Sequence, residues 1–187
     1  MCFKPRLQLI WAEDFKKGIG KNNTLPWDIP NEMAHFQKTT TTVNDNNKRN
    51  AVIMGRKCWE SIPEKYRPLR KRLNIVLSRT MEPKDEKNLI ITDNFDALIN
   101  RLSTDEKLHV DLENVFVIGG SDIYNLALSS KYLSKLIVTV IENDFGCDVF
   151  APSIDYSKFK LCDKREFFEG EPYKYTIRTY EVMENSF

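Results

Sequence analysis

The segment VFVIGGSDIY at positions 115–124 has a residue pattern that suits a phosphate group. An apolar run that predicts a buried strand ends in Gly119 and Gly120, and Ser121 is positioned to cap a following helix. Glycines let the backbone approach a phosphate closely, and free N–H groups at a helix start attract its charge. A tight strand-to-helix turn without a ligand has the same pattern, so this segment alone leaves both interpretations open.

Two further predicted strands end in residues that suit an anion. One strand ends in Gly55 and is followed by Arg56, and another is followed by Ser78 and Arg79. Because ligands of open α/β sheets bind beyond the carboxyl ends of the strands, these side chains can converge on one group. The guanidinium group suits phosphate, and these segments contain no acidic residue to hold a free ribose hydroxyl. The pattern favours NADP over NAD, although each arginine taken singly is more typical of a solvated surface.

A carboxylate follows a glycine- and asparagine-rich loop. Residues 18–27 contain two glycines and two asparagines, which indicate a mobile loop that can cover a site. On the helix that begins near Pro30, Glu32 and Phe36 lie one turn apart, with Met33 beside them. A carboxylate among apolar groups has a raised pKa, and it can hold a heterocycle through N–H donors or help to deliver a proton. A first-turn acid also stabilises a helix dipole without any ligand.

The elements that position these residues are predicted from short apolar runs and from the segments between them. Runs rich in β-branched residues predict buried strands at 7–12, 51–54, 73–77, 89–92, 115–118 and 136–141. Helices are predicted at 31–42, 57–61, 95–102 and 121–128, and loops at 39–50, 63–72 and 82–88. This alternation predicts an α/β domain with a largely parallel sheet. Residues 159–168 and 173–182 flank a Gly-Glu-Pro turn and predict an antiparallel hairpin at the sheet edge.

Length, charge and cysteine content exclude several other classes. The 187 residues, without a repeat or a linker, predict one domain, and a net charge of +1 does not predict a nucleic-acid partner. No apolar run is long enough for a secretory signal or a membrane span, so we expect a cytoplasmic protein without a membrane partner. Two histidines and four scattered cysteines, Cys2, Cys58, Cys147 and Cys162, predict neither a metal site nor a redox dithiol.

Seven motifs together resemble one known family. They are GIGKNNTLPW at 18–27, EMAHFQ at 32–37, VIMGR at 52–56, WESIP at 59–63, RPL at 67–69, RLNIVLSR at 72–79 and IGG at 118–120. Their order is that of dihydrofolate reductases, and the chain most resembles the eukaryotic, monofunctional form, with no thymidylate synthase module following. The resemblance implies a central eight-stranded, mostly parallel sheet with four helices and an antiparallel C-terminal edge. It also implies that NADPH reduces dihydrofolate to tetrahydrofolate, that antifolates inhibit the protein, and that it is a monomer.

The same resemblance implies roles for individual residues. The expected catalytic residues are Glu32, which binds the pteridine, Trp27, which holds an ordered water, and Thr139, which supports Glu32. The other expected substrate-binding residues are Ile10, Met33, Phe36, Gln37, Ile62, Leu69, Arg72, Ile118 and Tyr124, and Arg72 pairs with the α-carboxylate of the glutamate tail. The expected cofactor-binding residues are Ala12, Gly18, Ile19, Gly20, Arg56, Lys57, Cys58, Ser78, Arg79, Thr80, Gly119, Gly120, Ser121, Asp122, Ile123 and Tyr124, and a cis peptide joins Gly119 to Gly120.

Three residues depart from the family pattern. Cys58 stands where threonine is usual, Trp11 where a smaller aliphatic residue is common, and Tyr66 where asparagine is frequent. We expect activity to survive these changes and inhibitor selectivity to shift.

Other functions remain open from the sequence. The nearest alternative is a related NADPH-dependent pterin reductase. Arg72 and the Glu32/Phe36 pair argue against it, because they suit a folate with a glutamate tail. Another is a non-catalytic dinucleotide-binding module, against which the intact Trp27 weighs. The basic run at 65–72 is more typical of a solvated loop with one ligand-binding arginine than of a nucleic-acid site.

Overall fold

The fold is built on a nine-stranded sheet, in a computed structural model that describes residues 4–184. The strands are β1 (Leu7–Glu13), β2 (Gly18–Gly20), β3 (Arg49–Gly55), β4 (Arg72–Leu77), β5 (Lys84–Asp85), β6 (Leu89–Thr92), β7 (Leu112–Gly119), β8 (Leu133–Ile141), β9 (Val149–Phe150), β10 (Phe159–Phe167) and β11 (Tyr175–Val182). The helices are α1 (Pro30–Thr41), α2 (Arg56–Ser61), α3 (Phe95–Thr104), α4 (Glu106–Asp111) and α5 (Ser121–Leu128), with 3₁₀ turns at Glu64–Tyr66 and Tyr156–Lys158.

The main sheet has the order β10–β11–β8–β1–β7–β3–β4–β6–β5. The six central strands from β8 to β6 pair in parallel. The β10–β11 hairpin adds to β8 in antiparallel orientation and forms one edge of the sheet. The predicted α/β architecture with an antiparallel C-terminal hairpin is therefore confirmed. The ninth strand is the two-residue β5, which pairs with β6 from within the predicted loop at 82–88.

The central strands carry continuous apolar runs because both faces of the sheet are covered. All six residues of β4 are buried, as are residues 50–54 of β3. Two apolar clusters lie on the sheet, one containing Leu9 and Trp11 and the other containing Ile10. Successive side chains of a strand point to opposite faces, so neighbouring residues of β1 contribute to different clusters.

The short elements were harder to predict than the long ones. Helix α4 was not predicted; the Asp105 side chain caps it by accepting hydrogen bonds from Lys107 N at 3.0 Å and Leu108 N at 3.3 Å. Strands β2 and β9, also not predicted, form a separate two-stranded sheet. The predicted loop at 39–50 is shorter than expected, because α1 continues to Thr41 and β3 begins at Arg49.

No helix in residues 4–184 is long and apolar enough to cross a membrane. Within the same residues, no cluster of histidine, cysteine, aspartate and glutamate side chains is arranged to hold a metal ion. Cys58, Cys147 and Cys162 are unpaired thiols, and Cys2 lies outside the described residues.

Candidate active site

A cavity of about 1840 Å³ opens where the parallel strands end. Gly55, Leu77 and Gly119, the last residues of β3, β4 and β7, all line it. Parallel strands end at the same edge of a sheet, which is why three segments far apart in sequence meet here. Loop and helix residues from α1, α2 and α5 complete the walls. Most of the residues that were predicted from the sequence to bind substrate or cofactor line this cavity.

Glu32 lies in the first turn of α1 and faces this cavity with only 7% of its surface exposed. Met33 and Phe36 of the same helix line the cavity with it, as does Ile10 of β1. Burial raises the pKa of the Glu32 carboxyl from 4.5 to about 7, and no cationic side chain of the described residues offsets the effect. Near neutral pH this carboxyl is therefore partly protonated.

Trp27, Thr139 and Gly18 are buried but do not line the cavity. The Trp27 ring packs against Phe145 at 5.2 Å between centroids, and its buried Nε1–H has no hydrogen-bond partner among the described residues. Thr139 pairs with Ala12 across the β1–β8 ladder. These three predicted site residues are therefore buried without lining the cavity.

Arg72, the first residue of β4, is a buried guanidinium at the cavity wall, with 6% of its surface exposed. Its Nη1 donates to Thr40 Oγ1 at 2.9 Å, and its Nε donates to Arg70 O at 2.9 Å. Burial lowers the pKa of Arg72, and no carboxylate of residues 4–184 forms an ion pair with it. Arginine has five N–H donors, so this side chain retains donors for a ligand carboxylate.

Arg56, Ser78 and Thr80 converge at another part of the cavity wall. Arg56 Nη1 donates to Thr80 Oγ1 at 2.8 Å, and Thr80 N donates to Ser78 Oγ at 3.2 Å. Lys57 and Arg79 are exposed beside them and line the same cavity. No acidic residue was predicted near Arg56, and this prediction is wrong. Glu60 lies one turn further along α2, and its Oε1 is 3.4 Å from Arg56 Nε. That ion pair is about half exposed on both sides, so it stabilises weakly and leaves Arg56 available.

Gly119 and Gly120 are joined by a cis peptide bond, as the resemblance implied. Gly119 has a φ of +137°, and a Cβ there would lie 3.5 Å from Cys58 Sγ. A Cβ on Gly120 would meet nothing within 4 Å, so the backbone there borders open space. The predicted cap is wrong, because Gly120 occupies the N-cap position and the Ser121 hydroxyl instead donates to Phe150 O.

The family model of dihydrofolate reductase matches residues 6–182. The chain belongs to the dihydrofolate reductase family. It is 41% identical over 182 residues to the dihydrofolate reductase of Rattus norvegicus, covering 94% of this chain and 96% of the relative. It is 40% identical over 186 residues to that of Heliothis virescens, covering 95% and 98% respectively.

A solved structure and a bifunctional protein also resemble this chain, the first over its whole length and the second over part of its length. The solved Schistosoma mansoni dihydrofolate reductase superposes with a TM-score of 0.82 at 32% identity, covering 97% of this chain and all of that one. A bifunctional dihydrofolate reductase-thymidylate synthase of Arabidopsis thaliana is 38% identical over 164 residues, which are 86% of this chain and 29% of that protein.

The glycine- and asparagine-rich loop at residues 18–27 forms two hydrogen bonds with Asp148. Asn22 N donates to Asp148 Oδ2 at 3.0 Å, and Asp148 N donates to Gly20 O at 3.0 Å. Asn22 and Asn23 have φ values of 50° and 58°, a region that asparagine tolerates better than most residues. Leu25, in the same loop, is 46% exposed and lines the cavity.

Sequence reasoning missed several of the residues that line the cavity. Residues 93–96, which follow β6, line the cavity although they were not predicted to do so. The signal that identified Arg56 and Ser78, a position just beyond the carboxyl end of a strand, applies to them equally. The other predicted substrate and cofactor residues line the cavity: Ala12, Ile19, Gly20, Gln37, Cys58, Ile62, Leu69, Ile118, Asp122, Ile123 and Tyr124.

Proposed function

We propose that this protein reduces 7,8-dihydrofolate to 5,6,7,8-tetrahydrofolate with NADPH as the hydride donor. The observation that supports this proposal best is one cavity that holds a buried carboxyl, Glu32, and a buried guanidinium, Arg72, which has no acidic partner among residues 4–184. A folate carries N–H donors at its pteridine end and carboxylates at its glutamate end. The two buried groups match these two ends.

Glu32 is proposed to bind and orient the pteridine. Its carboxylate accepts hydrogen bonds from the ring's amino group and an adjacent ring nitrogen, and this interaction favours protonation of the reacting nitrogen. Solvent water supplies that proton. Because the pKa of Glu32 is about 7, the carboxyl changes charge within the working pH range. Trp27 and Thr139 are proposed to support it, and the Trp27 Nε1–H, which has no partner among residues 4–184, suits an ordered water.

The apolar walls and Arg72 are proposed to hold the rest of the substrate. Arg72 pairs with the α-carboxylate of the glutamate tail, for which its planar donor group is suited. The residues proposed to pack around the rings are Ile10, Met33, Phe36, Gln37, Ile62, Leu69, Ile118 and Tyr124. An apolar enclosure excludes water and fixes the ring relative to the hydride donor.

The cofactor end of the cavity fits NADPH. Arg56, Ser78 and Thr80 offer a guanidinium and two hydroxyls for a ribose 2′-phosphate, assisted by the exposed Arg79. The backbone at Gly120 borders open space that admits a diphosphate. The cofactor, when bound, supplies the hydride; the protein aligns it with the substrate.

The test is spectrophotometric NADPH oxidation with and without 7,8-dihydrofolate, with NADH as the comparison donor and methotrexate as inhibitor. We expect methotrexate-sensitive oxidation that requires dihydrofolate and is much slower with NADH. NADPH binding without any dihydrofolate-dependent oxidation would overturn the proposal.

We further propose that the chain acts as one domain, as a monomer and in the cytoplasm. The unpaired thiols of Cys58, Cys147 and Cys162 suit a reducing compartment. Light scattering of the purified protein tests the monomer, and a dimer mass would contradict it.

A further inference from the structure

A second cavity, of about 300 Å³, lies between α1 and the β10–β11 hairpin. It is termed the hairpin pocket, and its lining residues include Ala34, His35 and Lys38 from the helix and Arg165, Phe167 and Glu171 from the hairpin. None of the residues that line it also lines the candidate active site. The hairpin pocket is therefore a separate site, at the lower end of the volumes that hold small ligands.

Helix and strand periodicity explain the two walls of the hairpin pocket. The lining residues of α1, from Asn31 to Lys38, recur every three or four positions, which places them on a single helical face. On the hairpin, Arg165 pairs with Ile177 and the next lining pair has the same orientation, so these side chains share one face. Its two rings, Phe167 and Tyr175, stack at 4.9 Å between centroids and 13° between planes. The hairpin wall is therefore largely aromatic and aliphatic.

Two cationic side chains lie near His35 in the hairpin pocket. Burial lowers the pKa of His35, and the charges of Arg165 and Lys38 lower it further, so the imidazole is largely neutral near pH 7. Lys38 Nζ forms no ion pair with residues 4–184. Arg165 Nε is 3.2 Å from Asp163 Oδ2, but both side chains are about half exposed, so this ion pair is weak. The two cations beside a neutral ring form a place for an anion.

The His35 imidazole has an unmet hydrogen-bonding atom. Its Nε2 is buried and has no partner among the described residues, and its Nδ1 is 3.5 Å from Thr39 Oγ1, which is long for a hydrogen bond. Buried polar atoms are normally paired with protein, water or ligand, because an unpaired one costs free energy. A ligand in the pocket that His35 lines can supply the missing partner.

A carboxylate lies at the other end of the hairpin pocket. Glu171 Oε1 accepts from Asn31 Nδ2 at 2.6 Å and from Tyr175 OH at 3.5 Å, and Oε2 has no partner among residues 4–184. Asn31 is in the first turn of α1 and Lys38 is in the last, about 10 Å further along the helix axis. The pocket therefore has opposite charges at its two ends and an apolar wall between them.

We propose that the hairpin pocket binds a small aromatic carboxylate that has a hydrogen-bond donor at its far end. The ligand carboxylate pairs with Lys38 and Arg165, for which both are suited. The ring packs against Phe167, and the donor meets the free oxygen of Glu171. The inference does not depend on the proposed function, because neither dihydrofolate nor NADPH takes part in it.

The experiment uses the two histidines of the whole chain as reporters. The probe is para-hydroxybenzoate, and the imidazole C–H resonances are followed by NMR after assignment with His35→Gln and His109→Gln. We expect the His35 resonance to shift with a Kd on the order of 1 mM and the pKa of His35 to rise, since a nearby anion favours the imidazolium. His109 lies on α4, outside the pocket, and should not respond. A His35 resonance that stays fixed at about 10 mM probe would overturn the proposal.

Substitutions separate the pocket from a general charge effect. Arg165→Gln should raise the Kd about threefold, and the double variant with Lys38→Gln about tenfold. Lys164→Gln is the matched control, because it removes the same charge from the opposite face of β10, and its Kd should stay within about 1.5-fold of wild type. Equal losses in Arg165→Gln and Lys164→Gln would overturn the proposal.

Filling the pocket tests its location. Ala34 is an exposed helical residue, so Ala34→Leu adds volume to the pocket without disturbing a buried position, and leucine is a good helix former. The variant should lose the His35 response while its urea midpoint stays near that of wild type. Undiminished binding in Ala34→Leu would place the ligand elsewhere and overturn the proposal.

Two analogues test the chemistry of the ligand. Benzoate lacks the donor for Glu171 and should bind about threefold more weakly than para-hydroxybenzoate. The neutral para-hydroxybenzyl alcohol lacks the carboxylate and should bind about tenfold more weakly. Equal affinity for the neutral analogue would overturn the assignment of a carboxylate ligand.

Discussion

Replacing Glu32 by glutamine should stabilise the ligand-free protein at alkaline pH and hardly at all at acidic pH. The pKa of Glu32 is about 7 in the folded protein, against 4.5 without burial. The folded state therefore binds more protons than the unfolded state between these two values, so this carboxyl makes stability fall as pH rises through that window. Its unfavourable contribution is about 1 kcal/mol near pH 5 and about 3 kcal/mol near pH 8.

Glutamine keeps the shape of the side chain and removes the titration. The difference in unfolding free energy between Glu32→Gln and wild type should therefore become more positive by about 2 kcal/mol from about pH 5 to about pH 8. Urea unfolding of both proteins at both pH values measures it, and contributions of other groups such as Glu13 cancel in the comparison. A difference that is the same at both pH values would refute the claim that burial without a cationic partner controls this carboxyl.

Three further substitutions test the proposed carboxylate site, the proposed 2′-phosphate site and the packing of β2. Arg72→Met should raise the KM for dihydrofolate about 100-fold in steady-state assays and leave the Kd for NADPH unchanged, because the carboxylate of the substrate loses its buried guanidinium partner. Arg56→Gln should raise the KM for NADPH about tenfold with no change for NADH, which lacks the 2′-phosphate. Gly18→Ala should lower the unfolding free energy by about 2 kcal/mol in urea titrations, because the new Cβ would overlap the side chain of Cys147.

Each of these expectations has an outcome that contradicts it. An unchanged dihydrofolate KM in Arg72→Met would place the substrate's carboxylate elsewhere. Equal losses for NADPH and NADH in Arg56→Gln would exclude a role in 2′-phosphate recognition. Wild-type stability of Gly18→Ala would mean that the contact between β2 and residue 147 relaxes without cost.

The parallel core and much of the site could be predicted because both depend on local patterns. The strand containing Gly55, the strand preceding Ser78 and the strand ending in Gly119 are continuous apolar runs, and parallel pairing brings their ends to one edge. Glu32 and Phe36 share a helical face by their spacing alone, and both line the cavity. These relations need no knowledge of how distant segments pack.

The remaining features depend on contacts between segments that are far apart in sequence. The Ser121 hydroxyl bonds to Phe150, a residue of β9, and no local rule distinguishes that partner from its own helix. The ion pair of Arg56 with Glu60 is, by contrast, a local contact, and it was missed because α2 begins one residue earlier than predicted and so places the two residues one turn apart on it. Strand β2 forms because β9 lies beside it, and a three-residue segment carries too weak a pattern to predict.

The most direct test of the central claim is the fate of the hydride. The protein is incubated with 7,8-dihydrofolate and NADPH deuterated at the transferred position, and the product is examined by mass spectrometry and NMR. We expect tetrahydrofolate with one deuterium at carbon 6 and a solvent-derived proton at nitrogen 5. NADPH oxidation that leaves the pterin unreduced, or a reduced pterin without deuterium at carbon 6, would contradict it.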